Sequence, residues 1–418
     1  MTASHVIIGD GIAGSSAAET IRETDPNADV TVITEEGEAL YNRILIKEFA
    51  KSKLPEAPIS IHDPSWYEER EIDLELNTHV TGVDTDAKEV HAHTGETYGY
   101  DKLLVATGGT PTQLPVENSD AEGVHHFWTF QDARGIKEHA ERAETGVVVG
   151  AGLLGIDLAA ISAAQELDAH YLMRGQAWWR YALSEEGAEI IHEALRERNV
   201  TPVFGSGVDR FETDEEGTVV AAVDPNGDRY EADFVGVAIG LNFNTEYLRG
   251  SGIETDDGVL TDEYMRTNVE DVYAAGDITR FHDVILGERA QNGAWGSAKE
   301  QGSVAGANMV ADWDEPDEQF EWVSSYSITH FDFPFLSFGH PTIGDDHAER
   351  KYSDTEWRRI AFKDGKVVGG VLIGDLAPQS KFKQLIREER EVADQKEVLL
   401  EQTVDLEKLD DTAEVESE

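Results

Sequence analysis

Short apolar runs alternate with helix-like stretches along the chain, and this alternation predicts an α/β fold. Residues 6–8 form an apolar run of strand type, residues 15–23 have the Ala-rich composition of a helix, and residues 30–33 form a second strand. A glycine turn at residues 9–14 joins the first strand to the helix. These elements predict one βαβ unit of about thirty residues.

The same arrangement returns in the middle of the chain. Residues 146–149 predict a strand and residues 156–167 a helix, joined by a glycine turn at residues 150–155, and another strand follows. The apolar stretch at residues 145–164 is long enough to suggest a membrane span. Its spaced glycines and Asp157 favour instead a buried strand that turns into a helix.

The remaining pattern completes the predicted fold. Further predicted elements are strands at residues 101–106, 234–239 and 272–275 and a long helix at residues 293–310. Residues 312–316 are polar and predict a linker, and the chain beyond them is aromatic and β-like. We therefore predict an α/β fold with two Rossmann-like dinucleotide-binding domains of the three-layer ββα type, plus a C-terminal α+β interface domain.

The first glycine turn has the features of a dinucleotide site. A Gly-x-Gly-x-x-Gly turn between a strand and a helix lets backbone approach a pyrophosphate, and the helix N-terminus faces the phosphates. Gly9, Gly11 and Gly14 occupy these positions. Glu35 follows the next strand, where a carboxylate would hold a ribose diol.

The second glycine turn consists of Gly150, Gly152 and Gly155 and lacks such an acid. The strand after its helix ends in Met173, followed by Arg174. An arginine at this point can pair with a 2′-phosphate, which favours NADPH, or it is a solvated residue and the site takes NADH. Two dinucleotide sites in one chain indicate a flavoprotein reductase, in which nicotinamide reduces flavin.

Composition narrows the function classes. The 418 residues include 34 Lys+Arg and 84 Asp+Glu, so the net charge is −50. Nucleic acid and anionic membrane surfaces would repel such a chain, and acid dispersed over a globular pattern is typical of halophilic proteins. The absence of Cys excludes disulfides, thiolate catalysis and Cys-ligated metal centres. With no signal-peptide pattern at the N-terminus, we expect a cytoplasmic protein without membrane insertion.

Five motifs in order resemble those of the FAD-dependent pyridine nucleotide-disulfide oxidoreductase superfamily. They are the two glycine turns with Glu35 and Asp157, residues 41–47, residues 106–109 and residues 267–277. The similarity is greatest to the ferredoxin/rubredoxin reductases and to the flavin module of assimilatory nitrite reductases. The redox Cys of the superfamily is missing, which disfavours its disulfide reductases, peroxidases and water-forming oxidases.

The resemblance implies FAD and NAD(P)H as cofactors and assigns roles to single residues. Lys47 would lie by the flavin ring with Asp157 as its acidic partner, and Trp295 would lie at the flavin edge; these three are the candidate catalytic residues. Arg43 would meet the FAD phosphates and Asp277 the ribityl chain. The other implied cofactor-binding residues are Glu35, Arg174, the glycines of both turns, Val80, Ala106, Thr107, Gly108, Gly240 and Gly276. The acid that is Asp157 here is a Glu in the family, so the side chain facing Lys47 is one methylene shorter.

The sequence shows no pattern typical of a metal site. The histidines show no metal-ligand spacing, and His125 with His126 is interpreted as a loop pair without a metal. The aromatic residues 331–338 predict core of the C-terminal domain; the alternative is a cavity lining or a dimer contact. The predicted domain boundaries are residues 1–110 and 241–311 for the FAD domain, 111–240 for the NAD(P) domain, 312–395 for the interface domain and 396–418 for a disordered acidic tail.

The function implied by the resemblance is transfer of hydride from NAD(P)H to FAD, with electrons passing on to a ferredoxin or rubredoxin. Because the chain has no Cys, that acceptor would be a separate protein. Alternatives are an NAD(P)H oxidase or quinone reductase, a flavin subunit that feeds a nitrite reductase, and a slow-turnover flavoprotein that acts by binding a partner. A homodimer is also left open.

Overall fold

A computed structural model describes residues 3–409, which separate into two compact units. The first unit consists of the described residues up to Leu45, Pro55–Thr110 and Leu241–Trp322. The second consists of Ile46–Leu54, Pro111–Gly240 and the described residues from Val323 on. The domain boundaries given above stay a prediction.

A five-stranded parallel sheet forms the centre of the first unit. Its strands, in spatial order, are Val272–Ala274, Lys102–Val105, Ser4–Ile8, Asp29–Ile33 and Ile72–Glu75. Successive side chains of a strand point to opposite faces. Ile7 therefore packs against the helix side of the sheet, whereas Val6 and Ile8 pack against the other face.

Helices and a second sheet cover these two faces. Ile12–Thr24 and Trp295–Val310 pack on one side, so closely that a Cβ on Gly302 would lie 2.1 Å from the Ala13 carbonyl oxygen. On the other side lies an antiparallel sheet of Val80–Asp84, Glu89–Ala92 and Thr97–Gly99. The unit thus has ββα layers. Its smaller elements are Pro64–Glu68, Glu246–Leu248, Val259–Leu260, Thr279–Asp283 and Glu288–Ala290. The short strands Thr110–Pro111 and Leu241–Asn242 lie where the chain passes between the units.

The second unit repeats this layering. Its parallel sheet has the order Val200–Phe204, Asp168–Met173, Thr145–Val149, Phe234–Val237 and Val124–His126. An antiparallel sheet of Arg210–Thr213, Val219–Val223 and Arg229–Glu231 packs on one face through a shared apolar core. The helices are Ile46–Ala50, Phe130–Ala140, Leu153–Ala164 and Glu185–Arg196. His125 and His126 lie in a strand rather than the expected loop, because the edge of the parallel sheet pairs them with Gly236 and Val237.

A five-stranded antiparallel sheet follows in the same unit. Its order is Ser325–Ile328, Phe335–Gly339, Lys366–Ile373, Glu356–Lys363 and Asp346–Ser353, and the helix Gln379–Arg387 packs on it. Of the aromatic residues 331–338, Phe335 and Phe338 are buried, as predicted for core. Phe331 and Phe333 are only half-buried, because they lie in the irregular segment before the strand.

The residues predicted as a disordered tail are packed as far as they are described. Lys396–Leu399 forms a helical turn directly after the turn Ala393–Gln395, and Leu399, Leu400 and Val404 are buried. The buried Arg358 guanidinium donates to the carbonyls of Leu399 and Glu401, which fixes this segment despite its acidity. Residues 410–418 of the predicted tail lie outside the described residues. No helix within residues 3–409 is long and apolar enough to cross a membrane.

Candidate functional site

The first glycine turn has two glycines enclosed by backbone and one that is open. Gly9 has a φ of +110°, and a Cβ there would lie 2.3 Å from the Ala106 carbonyl oxygen. A Cβ on Gly14 would lie 1.9 Å from the Gly9 carbonyl oxygen. A Cβ on Gly11 would meet no atom of the described residues within 4 Å. The chain itself therefore requires Gly9 and Gly14, whereas the open face of Gly11 leaves room for a ligand against the backbone.

Three of the predicted motifs meet at the same edge of the first sheet, because parallel strands end on one side. Ala106 continues the strand Lys102–Val105 and hydrogen-bonds the Ile8 carbonyl. A Cβ on Gly276 would touch Ala13, in the first turn of the helix that follows the glycine turn. Thr107 places its hydroxyl 3.4 Å from the Tyr247 hydroxyl, and Gly108 has a φ of +61°.

Arg43 lies close enough to Asp277 for its positive charge to affect the Asp277 carboxylate. Arg43 pairs with Glu36 and lies over the Tyr41 ring, and its charge acts on Asp277. Burial raises the pKa of Asp277 to about 6, against the lowering effect of Arg43. Within residues 3–409, the Asp277 carboxylate accepts no hydrogen bond. A carboxylate that lacks a donor in this position fits a ligand hydroxyl.

Gln301 fixes the turn that carries Asp277. Its buried amide oxygen accepts from the Gly276 backbone N–H and the Thr279 hydroxyl, both at 2.8 Å. Trp295 is half-buried at the start of the same helix, where Trp322 packs over Gly296. The structure thus explains the position of Asp277 and leaves the role of Trp295 a prediction.

Glu35 and Val80 have different surroundings. Glu35 follows the strand Asp29–Ile33, is 62% exposed, and its carboxylate lies 3.0 Å from His79 Nδ1. It is accessible to a ligand, although it has a protein partner. Val80 is buried and begins the antiparallel sheet.

Asp10, within the first glycine turn, has an unusual environment. Tyr67 donates its hydroxyl to Asp10 Oδ1 at 2.7 Å, whereas Asp10 Oδ2 is buried without a hydrogen-bond partner among the described residues. Burial is the main cause that raises the pKa of Asp10 to about 7, and the charge of Glu36 adds to it. A carboxyl group that takes up a proton near neutral pH therefore lies inside the phosphate-type turn.

The second glycine turn has the same construction. A Cβ on Gly150 would lie 1.9 Å from the Ala238 carbonyl oxygen and one on Gly155 2.0 Å from the Gly150 carbonyl oxygen, whereas Gly152 has nothing within 4 Å. The Trp178 indole donates to the Gly152 carbonyl at 3.2 Å. This bond ties the turn to the segment after the strand Asp168–Met173.

Arg174 extends from that segment into solvent. Its side chain is exposed, its stem packs near Gly207, and no carboxylate in residues 3–409 forms an ion pair with it. Most cations of this acidic chain have such partners, so an unpaired exposed guanidinium is a candidate anion contact. Arg180 is exposed close by and lies over the Tyr181 ring. Gly240 has a φ of +120° beside Thr112.

Lys47 and Asp157 are together in the second unit, as the resemblance implies. Lys47 Nζ lies 3.4 Å from Asp157 Oδ1, so the shorter aspartate does reach the lysine. Asp157 also contacts His330, and its Oδ2 lies 3.4 Å from the Tyr326 hydroxyl. Burial opposes ionisation of Asp157, but the His330 hydrogen bond and the Lys47 charge hold its pKa below the ordinary value.

Several residues of the site were not found from the sequence. They are Asp10, Tyr67, Gln301, Trp178, Tyr326 and His330. Asp10 did have a visible feature, an acid inside a phosphate-type turn. The other residues had no recognisable sequence feature, because each reaches its partner from a distant part of the chain.

The residues present fit two dinucleotides. Gly11 and Gly152 have open Cβ directions, the Asp277 carboxylate has no donor within residues 3–409, and both helices begin at the glycine turns. The family sequence pattern described as pyridine nucleotide-disulphide oxidoreductase matches residues 3–302.

The chain belongs to the pyridine nucleotide-disulphide oxidoreductase family. A second pattern, the rubredoxin NAD⁺ reductase C-terminal domain, matches residues 327–390. Membership implies FAD and NAD(P)H as cofactors, and the predicted fold of two Rossmann-like domains with a C-terminal domain is confirmed.

Individual proteins of the family show how far the similarity extends. The chain is 25% identical over 393 residues to nitrite reductase [NAD(P)H] of Bacillus subtilis, covering 93% of this chain but only 48% of that protein. It is 32% identical over 311 residues to the CoA-dependent NAD(P)H sulfur oxidoreductase of Pyrococcus abyssi, covering 73% and 69%. The covalent putidaredoxin reductase–putidaredoxin complex has a chain of the same fold, with a TM-score of 0.90, 22% identity and 99% coverage of both chains. The chain thus spans about half the length of the nitrite reductase.

Proposed function

We propose that this protein oxidises NAD(P)H with bound FAD and passes the electrons to a small redox protein, a ferredoxin or rubredoxin. The observation that carries the proposal is the pair of glycine turns, each with one glycine open to a ligand, in a chain without Cys. Two dinucleotide sites suit a hydride donor and a hydride acceptor, and the missing thiol leaves flavin as the electron carrier.

Different residues of the chain bind different parts of FAD. The backbone N–H groups at the start of the helix Ile12–Thr24 receive the pyrophosphate, with Arg43 supplying positive charge. Glu35 accepts from a ribose hydroxyl and Asp277 from a ribityl hydroxyl. When bound, FAD supplies the capacity to take two electrons at once and release them singly.

Lys47 is the residue we assign to charge stabilisation. It is one-tenth exposed, and its ion pair with Asp157 keeps it in place without covering all three of its N–H donors. An ammonium group in a buried site stabilises the negative charge that develops during reduction, because little water screens it. Asp157 acts through Lys47 and is a positioning residue.

The second site takes NADPH in preference to NADH in this proposal. The acid that would hold a free 2′-hydroxyl is replaced by Met173, and Arg174 is exposed and has no ion-pair partner among the described residues. Arg180 adds a second cation near the same strand end. A 2′-phosphate would give these guanidinium groups the anionic partner that the described chain does not provide.

A second candidate acceptor is a nitrite reductase. The similarity to the Bacillus nitrite reductase covers nearly the whole of this chain but only half of that protein. The alternative function is therefore that of a flavin-bearing unit that feeds electrons to a nitrite reductase. The match of residues 327–390 to the rubredoxin reductase domain favours the redox-protein acceptor instead.

Stopped-flow absorbance tests the donor and the acceptor separately. The FAD-loaded protein is mixed with NADPH or NADH, and the reduced protein is then mixed with ferredoxin, rubredoxin or O₂. We expect faster reduction by NADPH and faster reoxidation by a redox protein than by O₂. A protein that cannot be loaded with FAD, or is reduced by neither nucleotide, would refute the proposal.

Lys47→Met tests the assigned charge. We expect normal FAD content and a reduction rate lower by about ten- to a thousand-fold, because one stabilising group at a developing charge is removed. Lys53→Met, on an exposed residue a few positions along, is the matched control. Wild-type reduction rates in Lys47→Met would exclude this role.

We also propose a halophilic, cytoplasmic setting. The supporting observation is the net charge of −50, carried mostly by exposed acids on an ordinary folded scaffold. High salt screens the repulsion between these acids, and it would equally screen the repulsion between this chain and an acidic ferredoxin.

A further inference from the structure

The second unit buries a histidine and a second lysine against the carboxylate that holds Lys47. His330 lies between the strands Ser325–Ile328 and Phe335–Gly339, and its side chain is 1% exposed. Its Nε2 contacts Asp157 Oδ1, and its Nδ1 lies 2.8 Å from Lys51 Nζ. Neither His330 nor Lys51 has a part in the reaction as described so far.

The contact with Lys51 fixes where His330 carries its hydrogen. An ammonium nitrogen can only donate, so Nδ1 of His330 accepts from Lys51. The neutral ring then carries its hydrogen on Nε2, which donates to Asp157 Oδ1. Burial lowers the pKa of His330 and outweighs the attraction of Asp157, and the two lysines lower it further, which favours the neutral ring.

The Asp157 carboxylate is thereby shared among three side chains. Oδ1 receives the His330 N–H and, at 3.4 Å, Lys47 Nζ, while Oδ2 faces the Tyr326 hydroxyl at 3.4 Å. Hydrogen bonds to the ionised form keep a carboxylate charged even when it is buried. Among the groups that lower the pKa of Asp157, the His330 hydrogen bond has the largest effect, ahead of the Lys47 charge, so His330 has the largest part in keeping Asp157 ionised.

We propose that His330 is a positioning residue for Lys47: its hydrogen bond orients the Asp157 carboxylate, and Asp157 in turn holds the Lys47 ammonium in place. The charged groups that face His330 are Asp157 and Lys51, with Lys47 and Glu48 behind them. Lys51 is held by Glu48 at 2.9 Å, so the cluster of two lysines and two acids has no net charge. The proposal rests on the proposed function, in which bound FAD responds to the charge of Lys47.

The test is the midpoint potential of bound FAD measured against pH. His330→Phe keeps a ring but removes both nitrogens, whereas His330→Gln keeps an N–H donor. Loss of a hydrogen bond to a charged group should raise the Asp157 pKa by about one to two pH units. We therefore expect an added inflection in the acid range for His330→Phe, a profile close to wild type for His330→Gln, and no added inflection in the double variant His330→Phe/Asp157→Asn.

The pH profiles of the variants decide whether His330 has this role. A wild-type profile in His330→Phe, or an added inflection that survives in the double variant, overturns it, even when the melting temperature falls. If His330→Phe does not fold, Lys51→Met removes the donor to Nδ1 and should add an inflection in the same direction; a wild-type profile there overturns the inference as well. Failure of the wild-type protein to bind FAD would instead refute the proposed function.

Discussion

Replacing Asp10 by Asn tests the unusual carboxyl group in the first glycine turn. The native side chain is buried, accepts from Tyr67 and leaves Oδ2 without a partner in the described chain. Its pKa is about 7 in the folded chain against an ordinary value of 3.8. Asn is close in size, can still accept from Tyr67, and carries no charge at any pH of the experiment.

The sign follows from the raised pKa. Below pH 4 Asp10 is protonated in both the folded and the unfolded chain, so it does not change the free energy of unfolding. As the pH rises from 4 to 7 only the unfolded chain loses the proton, so the folded state is penalised, and above 7 the penalty is constant. Between pH 5 and pH 8 the wild-type free energy of unfolding should fall by roughly 2–3 kcal/mol through this group alone. Asp10→Asn should lack this decrease.

Urea unfolding followed by circular dichroism at pH 5 and pH 8, in molar KCl, measures the difference. Asp29→Asn, an exposed residue at the start of the next strand, is the matched control and should follow the wild-type protein. We expect Asp10→Asn to be more stable than the wild-type protein at pH 8 and to differ much less at pH 5. An equal loss of stability from pH 5 to pH 8 in all three proteins would refute the reasoning.

Three further outcomes are expected. Arg174→Ala should lower kcat/KM for NADPH by about ten-fold and leave NADH unchanged, because only NADPH has the 2′-phosphate; equal losses with both would exclude the contact. The melting temperature should rise with KCl toward molar concentrations, and a salt-independent value would contradict the halophilic proposal. Arg358→Met should destabilise the protein by about 3 kcal/mol and expose residues near Leu399 to proteolysis, since two buried carbonyls lose their donor; calorimetry and limited proteolysis would show it.

The parts of the fold that the sequence predicts are those with local causes. A glycine turn between an apolar run and an Ala-rich stretch can be recognised from about twenty consecutive residues. Both such turns are present in the structure. Gly14 illustrates why: its contact is with the Gly9 carbonyl, five residues away. The strand Ile72–Glu75 was not predicted: Ile72 and Leu74 do alternate with acids, but a run of four residues is too short to separate a strand from a loop.

The parts that the sequence does not predict depend on distant contacts. His330 reaches Asp157 across 173 positions of the chain, and Tyr67 reaches Asp10 across 57. No spacing rule joins such residues, because the sheets and helices between them decide which side chains meet. The packing of residues 396–409 has the same origin, since the guanidinium that fixes them belongs to the strand Glu356–Lys363.

An acidic chain that binds two anionic dinucleotides faces a conflict, since a net charge of −50 repels phosphate at long range. The open glycines Gly11 and Gly152 indicate how it is resolved, because backbone N–H groups and helix N-termini bind phosphate over a few ångströms without adding side-chain charge. In molar salt the screening length is about 3 Å, so the distant acids are screened while these contacts persist. The few cations then act where they touch the cofactor or its partners. High salt should therefore strengthen FAD binding in this protein, which is the reverse of the usual effect of salt on a phosphate site built from lysines.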